Sequence, residues 1–130
     1  MVAPRLWFSP MTIDGAYTSN DPKCRKYAIE RSLRCIDVAR AMETDLIVLW
    51  LAREGSYLRE SKNARKCVDS LVEAIDRMLA HDKRVRIAIE PKPNEPMDVA
   101  YMPTIGHALA IANLTADPKR VGALIESAHA

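Results

Sequence analysis

Glu90 and Lys92 stand two residues apart in the stretch RIAIEPKPNEP, Arg86 to Pro96, where a β-branched run ends in charge and three prolines. Arg86-Ile87-Ala88-Ile89 predicts a short buried strand, and Pro91, Pro93 and Pro96 bar a helix directly after it. Residues two apart on an extended backbone face the same way, so a carboxylate and an ammonium are presented side by side at a strand's carboxyl end. That is where α/β enzymes place active-site groups. The same two residues serve equally well as an ion pair closing the strand. Glu126 and His129 form a second candidate pair, three residues apart after the apolar run Val121 to Ile125. Neighbouring parallel strands lie about 4.8 Å apart, so Glu90 and Glu126 could place oxygens on one cation. Carboxylates suit magnesium and manganese, and a nearby imidazole extends the choice to cobalt.

The elements that must position these groups alternate along the chain. Asp21 is a good N-cap with Pro22 at the first helical position, and Cys24, Ala28, Cys35, Val38, Ala39 and Met42 recur at helical spacing. Leu46 to Trp50 reads as a strand. Ser61 is expected to begin a second helix with the apolar face Ala64, Cys67, Val68, Leu71, Ile75, Met78 and Leu79, ending at His81-Asp82-Lys83. A third helix follows Pro103 as far as Asn113, and the Val121 strand closes the series. Ala3 to Phe8 could supply a fourth strand at the start. Strands begin roughly 35 to 40 residues apart, the rhythm of parallel βα units, and their continuous apolar runs imply burial on both faces.

Three segments resemble a single family, the metal-dependent xylose (glucose) isomerases. IAIEPKPNEPMDVAYMPTIGHALA, Ile87 to Ala110, is similar to that family's fifth-strand motif, VLWLAREG, Val48 to Gly55, to its fourth, and RVGALIESAHA, Arg120 to Ala130, to its sixth. Asp14 to Ile29 resembles the stretch leading into its third helix. The resemblance implies an α/β fold, residues 1–130 forming a single segment of a xylose isomerase-like TIM barrel, from about its third to its sixth strand. A closed (β/α)8 barrel takes about 250 residues, so this segment is a partial one. Carried over by position, Glu90 is implied to bind the structural metal, Glu126 to bridge two metals, and His129 to hold the second. Lys92 is implied to meet the sugar's carbonyl end as the catalytic cation, while Trp50 walls the sugar site and Trp7 replaces a phenylalanine lining it.

By this resemblance the activity is an aldose-ketose interconversion, such as that of D-xylose, through a metal-assisted hydride shift, in carbohydrate and xylose metabolism. Two divalent cations, magnesium, manganese or cobalt, are expected in the complete barrel, and weak binding or none in this chain alone, which is expected to be inactive by itself. The alternative is a non-catalytic oligomerising or sugar-binding remnant of the same fold. Some positions depart from the pattern: Trp7-Phe8-Ser9-Pro10 lacks a histidine found in relatives, Leu51 and Ala52 replace glycines, and Leu124 and Ile125 replace asparagine and proline. These changes bear on the sugar pocket more than on the metal ligands.

Composition bounds the partners. The 130 residues carry 19 basic and 17 acidic side chains with no basic block, which argues against nucleic acid. Endonucleases of the same superfamily would call for more strand-end histidines and a basic face. The longest apolar run, Leu46 to Ala52, is too short for a membrane span, and the first ten residues have no signal-peptide pattern. Cys24, Cys35 and Cys67 fall at helical positions without ligand spacing, as buried, reduced cysteines of a cytoplasmic protein would. The expected partners are a small-molecule sugar and further copies of the chain, since open strand edges favour a homo-oligomer. His81 and His107 read as structural, Arg53 and Glu54 as a loop ion pair, and Arg59 to Lys62 with Arg65 and Lys66 as a solvated helix start.

Overall fold

Three parallel strands lie side by side in chain order, with three helices packed on one of their faces. In this computed structural model, residues 1–94 and 96–129 are described, and the side chain of His129 lies outside that description. Helix α1 spans Pro22–Ala41, β1 Leu46–Trp50, β2 Gly55–Ser56, α2 Ala64–His81, β3 Arg86–Glu90, β4 Val99–Ala100, α3 Ile105–Leu114 and β5 Val121–Ala123. The larger sheet has the order β1-β3-β5, and Val2 adds a parallel bridge to Ile47 on the outer side of β1. Sequential parallel neighbours with helical crossovers on one side are the pattern of a barrel wall.

Local chemistry explains the helix ends. The Asp21 side chain accepts from the Lys23 amide at 2.8 Å with Pro22 at the first position, which starts α1 as the sequence predicts. Helix α2 starts three residues later than expected, because Asn63 rather than Ser61 is its N-cap, accepting from the Lys66 amide. Ser61 instead closes a 3-10 turn, Arg59–Ser61. Thr104 caps α3, and its hydroxyl lies 2.8 Å from Nδ1 of His107, which gives that histidine the structural role expected. His81 meets Asp37 across α1 and α2 at 2.9 Å.

Strand alternation divides the sheet. Ile47, Leu49, Ile87 and Ile89 join Leu71, Ile75 and Met78 of α2 and Ile36 of α1 in one core, each no more than 2% exposed. Complete burial of one such side chain contributes about 1.5–3 kcal/mol. On the opposite face Trp50, Ala88, Glu90, Gly122 and Leu124 are half-buried. The expected burial on both faces is met in full only on the helix side; on the other face Val48 is buried while its neighbours stay half-buried.

Other expectations are corrected. Ala3 to Phe8 is not a strand: Leu6–Phe8 forms a 3-10 turn, begun by Arg5 in the left-handed region at φ 49°. Val38, Met42 and Ala64 are exposed and Ile29, Ile36 and Ala74 take core places, while Cys24, Ala28, Cys35, Ala39, Cys67, Leu71, Ile75, Met78 and Leu79, among the apolar positions read for α1 and α2, are buried. Strand β5 stops at Ala123, although Leu124 N still donates to Ile89 O at 2.8 Å. The antiparallel pair β2-β4, two residues each, has no periodicity that a sequence could reveal.

Candidate functional site

The carboxyl ends of β1 and β3 are in register. Trp50 pairs with Glu90, and Ile89 pairs with Ala123 of β5, which sets Leu124 level with Glu90. Directly paired residues of a parallel sheet share a face, so Trp50 and Glu90 both leave on the side away from the helices. Glu126 follows two residues beyond Leu124 at the same edge, half-buried, and accepts from the Ala128 amide at 3.4 Å. The backbone of His129 ends the 3-10 turn Ser127–His129 at that edge. Among the described residues no three His, Cys, Asp or Glu side chains gather closely enough to hold a metal ion. Glu90 ends β3, and Glu126 lies three residues after the end of the neighbouring β5.

Lys92 stands on the exit from β3, half-buried, with its amide donating to Met102 O at 3.2 Å. That bond fixes the lysine's backbone to the far end of its own loop.

Trp7 comes to the site from the first segment rather than from a strand. Its ring meets Trp50 edge to face, with centroids 5.1 Å apart and planes at 86°. Two arginines hold it. Arg53 Nε donates to Trp7 O at 3.1 Å, and the Arg5 guanidinium lies 5.2 Å from the Phe8 ring and 6.0 Å from that of Trp7. Residues 3–7 and 48–51 leave a small cavity of about 40 Å³ beside the two indoles.

Two charged residues behind the strand ends differ from the sequence reading. Arg53 and Glu54 do not pair; Arg53 turns to Trp7, and Glu54 is only 2% exposed. At Oε1 Glu54 accepts from the amides of Ala16 at 3.0 Å and Tyr17 at 3.1 Å. At Oε2 it accepts from the Thr18 amide at 2.9 Å and the Thr18 hydroxyl at 2.5 Å. Burial pushes its carboxyl above the usual glutamate range, and these hydrogen bonds oppose that rise.

Lys62, expected in a solvated run, has a side chain 1% exposed and bridges Asp14 and Gly55. Its Nζ donates to both backbone carbonyls and lies 3.2 Å from the Asp14 carboxylate. Only the RE within VLWLAREG signalled Glu54, and nothing in the run around Lys62 distinguished it from its solvated neighbours. Tyr17, fully buried, donates to Ser32 Oγ at 2.6 Å, because that serine hydroxyl already donates to Ala28 O. Burial raises its phenol further above the usual tyrosine value. The three cysteines are buried and free, as expected.

Comparison with known proteins bears on the family and the fold. The family model described as xylose isomerase-like TIM barrel matches residues 5–130. A xylose isomerase from Thermus thermophilus is 38% identical over 133 aligned residues, which cover 99% of this chain and 34% of that protein. The crystal structure of a protein from Sinorhizobium meliloti superposes with a TM-score of 0.69 at 31% identity, over 88% of this chain and 41% of that one. The chain therefore spans about a third of the length of its curated relative.

Proposed function

The chain belongs to the xylose isomerase-like TIM barrel family, and on that premise we propose that it is the central segment of a metal-dependent aldose-ketose isomerase. The observation that carries the reading is the register of Trp50 beside Glu90 at the strand ends, with Lys92 on the next turn of chain. Glu90, Glu126 and His129 would supply the ligands, two carboxylates and an imidazole at one edge. Divalent cations held there would polarise a sugar carbonyl and offset the negative charge that grows on oxygen during isomerisation.

The reaction moves a hydride from C2 to C1 of an open-chain aldose, and a proton from the C2 hydroxyl to the C1 oxygen, so no outside oxidant or reductant is consumed. Lys92 would set its ammonium against the oxygen where charge develops, an interaction stronger in the transition state than before it. Trp50 and Trp7 would keep water from the migrating hydride by walling the site with apolar rings. The sugar is the proposed small-molecule partner, and further copies of the chain are the proposed protein partner through open strand edges. No helix among the described residues is long and apolar enough to cross a membrane.

The test compares ketose formation from D-xylose, with magnesium, manganese or cobalt, by the 130-residue chain and by a barrel completed with the strands that relatives possess. Turnover is expected in the completed barrel and negligible turnover in the chain alone. A completed barrel that binds sugar without converting any aldose would favour a non-catalytic sugar-binding remnant.

A further inference from the structure

The buried Glu54 carboxylate joins three loops that meet behind the strand ends. Its oxygens accept all three consecutive amides of Ala16, Tyr17 and Thr18 together with the Thr18 hydroxyl. Its own amide donates to Leu51 O at 3.0 Å, directly after Trp50. Its carbonyl accepts from Tyr101 N at 3.0 Å, and Met102, the next residue, is the acceptor for the Lys92 amide. Gly55, adjoining Glu54, pairs with Ala100 in the short β2-β4 sheet. Lys62 fastens the same assembly from below, by way of the Asp14 and Gly55 carbonyls.

We infer that Glu54 is a positioning residue, which sets the place of Lys92 through the Tyr101-Met102 segment that follows β4 while anchoring the loop at residues 14–18. The catalytic half of this inference rests on the isomerase reading; the mechanical half does not. Two acceptor oxygens are required by the donor count. Each oxygen receives two donors, so the amide of a glutamine must turn its NH2 toward at least one backbone N–H. That leaves a buried donor without an acceptor. The loop would loosen, and the slack would pass along the backbone bonds from residue 54 to 101 and from 102 to 92.

A group that merely stabilises the 14–18 loop would not transmit its loss to Lys92, and amide hydrogen exchange on the purified chain separates the two roles. In Glu54→Gln, exchange at Ala16, Tyr17 and Thr18 should rise in either case. The inference requires that Tyr101 and Lys92 also exchange about tenfold faster or more, while Ile89 and Leu124 in the main sheet change little. Unchanged protection at Lys92 beside a loosened 14–18 loop overturns it. Should Glu54→Gln fail to fold, Thr18→Val removes one of the four bonds and should give the same order of effects at about threefold. Under that variant too, a silent Lys92 amide overturns the inference.

In a completed barrel that makes ketose, Glu54→Gln should lower kcat at least about tenfold and leave KM within about twofold, since substrate contacts remain while the transition-state contact is displaced. An undisturbed kcat beside a mobile Lys92 overturns the catalytic half. Absence of ketose formation from any completed barrel would remove the isomerase reading, and the exchange pattern would still decide whether Glu54 governs Lys92.

Discussion

Trp7 and Trp50 meet edge to face with ring centroids 5.1 Å apart, although 43 positions of sequence separate them. These are the two tryptophans of the chain, so their fluorescence reports directly on this contact. Edge-to-face aromatic pairs contribute about 0.5–1.5 kcal/mol beyond the area they bury. Trp7→Ala should therefore red-shift the Trp50 emission as water reaches its ring, and should lower the urea midpoint. Emission identical to that of a buried indole would mean that Trp50 is walled by something other than Trp7.

Gly55 and Gly122 should respond in opposite ways to alanine. A Cβ at Gly55 would lie 2.3 Å from Val99 O, a backbone atom that cannot move away without breaking the β2-β4 pair. At Gly122 a Cβ would meet nothing within 4 Å. Gly55→Ala is expected to cost about 1–3 kcal/mol of stability by overpacking, and Gly122→Ala to be neutral or to gain a few tenths through lower unfolded-state entropy. Chemical denaturation of the two variants checks the contrast; equal midpoints would show that the β2-β4 pair is not held as described.

The strands Leu46–Trp50 and Arg86–Glu90 and the cap at Asp21 were legible because each is a local pattern: an apolar run closed by charge, or an acceptor before a helical proline. The family was legible because three such patterns fall in order. What the sequence hid depends on distant partners. Lys62 differs from the exposed Lys66 only in lying near Asp14 and Gly55 in space, 48 and seven residues away. Glu54 looked like a partner for Arg53 because they are adjacent, yet adjacent residues on an extended turn point apart, and each found its partner in the first twenty residues. Trp7 lies in a turn rather than a strand for a similar reason: the left-handed Arg5 redirects the chain, which propensity alone does not disclose.

Glu54 also dictates a pH dependence. Burial holds its folded-state value above the ordinary glutamate range, whereas the unfolded chain has the ordinary value. Between the two the folded chain binds more protons, so this group's contribution is full below the ordinary value and is lost as pH rises through the raised one. Asp45, Asp82 and Asp117 work in the other direction: Arg86, the Arg84 amide and Arg120 respectively lower their values, and their contributions are lost as pH falls. Those three are common to the parent and to Glu54→Gln and cancel in the difference. The parent's advantage over Glu54→Gln should thus shrink as pH rises from the ordinary glutamate range through the raised value, read as urea midpoints at each pH. An advantage that grows with pH would mean that the hydrogen bonds outweigh burial.

Lys92 and Glu126 have different proposed tasks, and a completed barrel can separate them. If Lys92 stabilises charge that develops only during the hydride shift, Lys92→Met, similar in length, should lower turnover about a hundredfold or more and leave metal affinity nearly unchanged. Glu126→Gln removes a ligand charge, so metal affinity should weaken first and turnover should recover in part at high cation concentration. Titration calorimetry with manganese and a ketose assay on each variant give the two readouts independently. The backbone bond from Lys92 to Met102 makes the first outcome specific, because the methionine inherits the same placement and lacks only the charge. Unchanged turnover in Lys92→Met would assign the lysine to the structural closure of the strand beside Glu90.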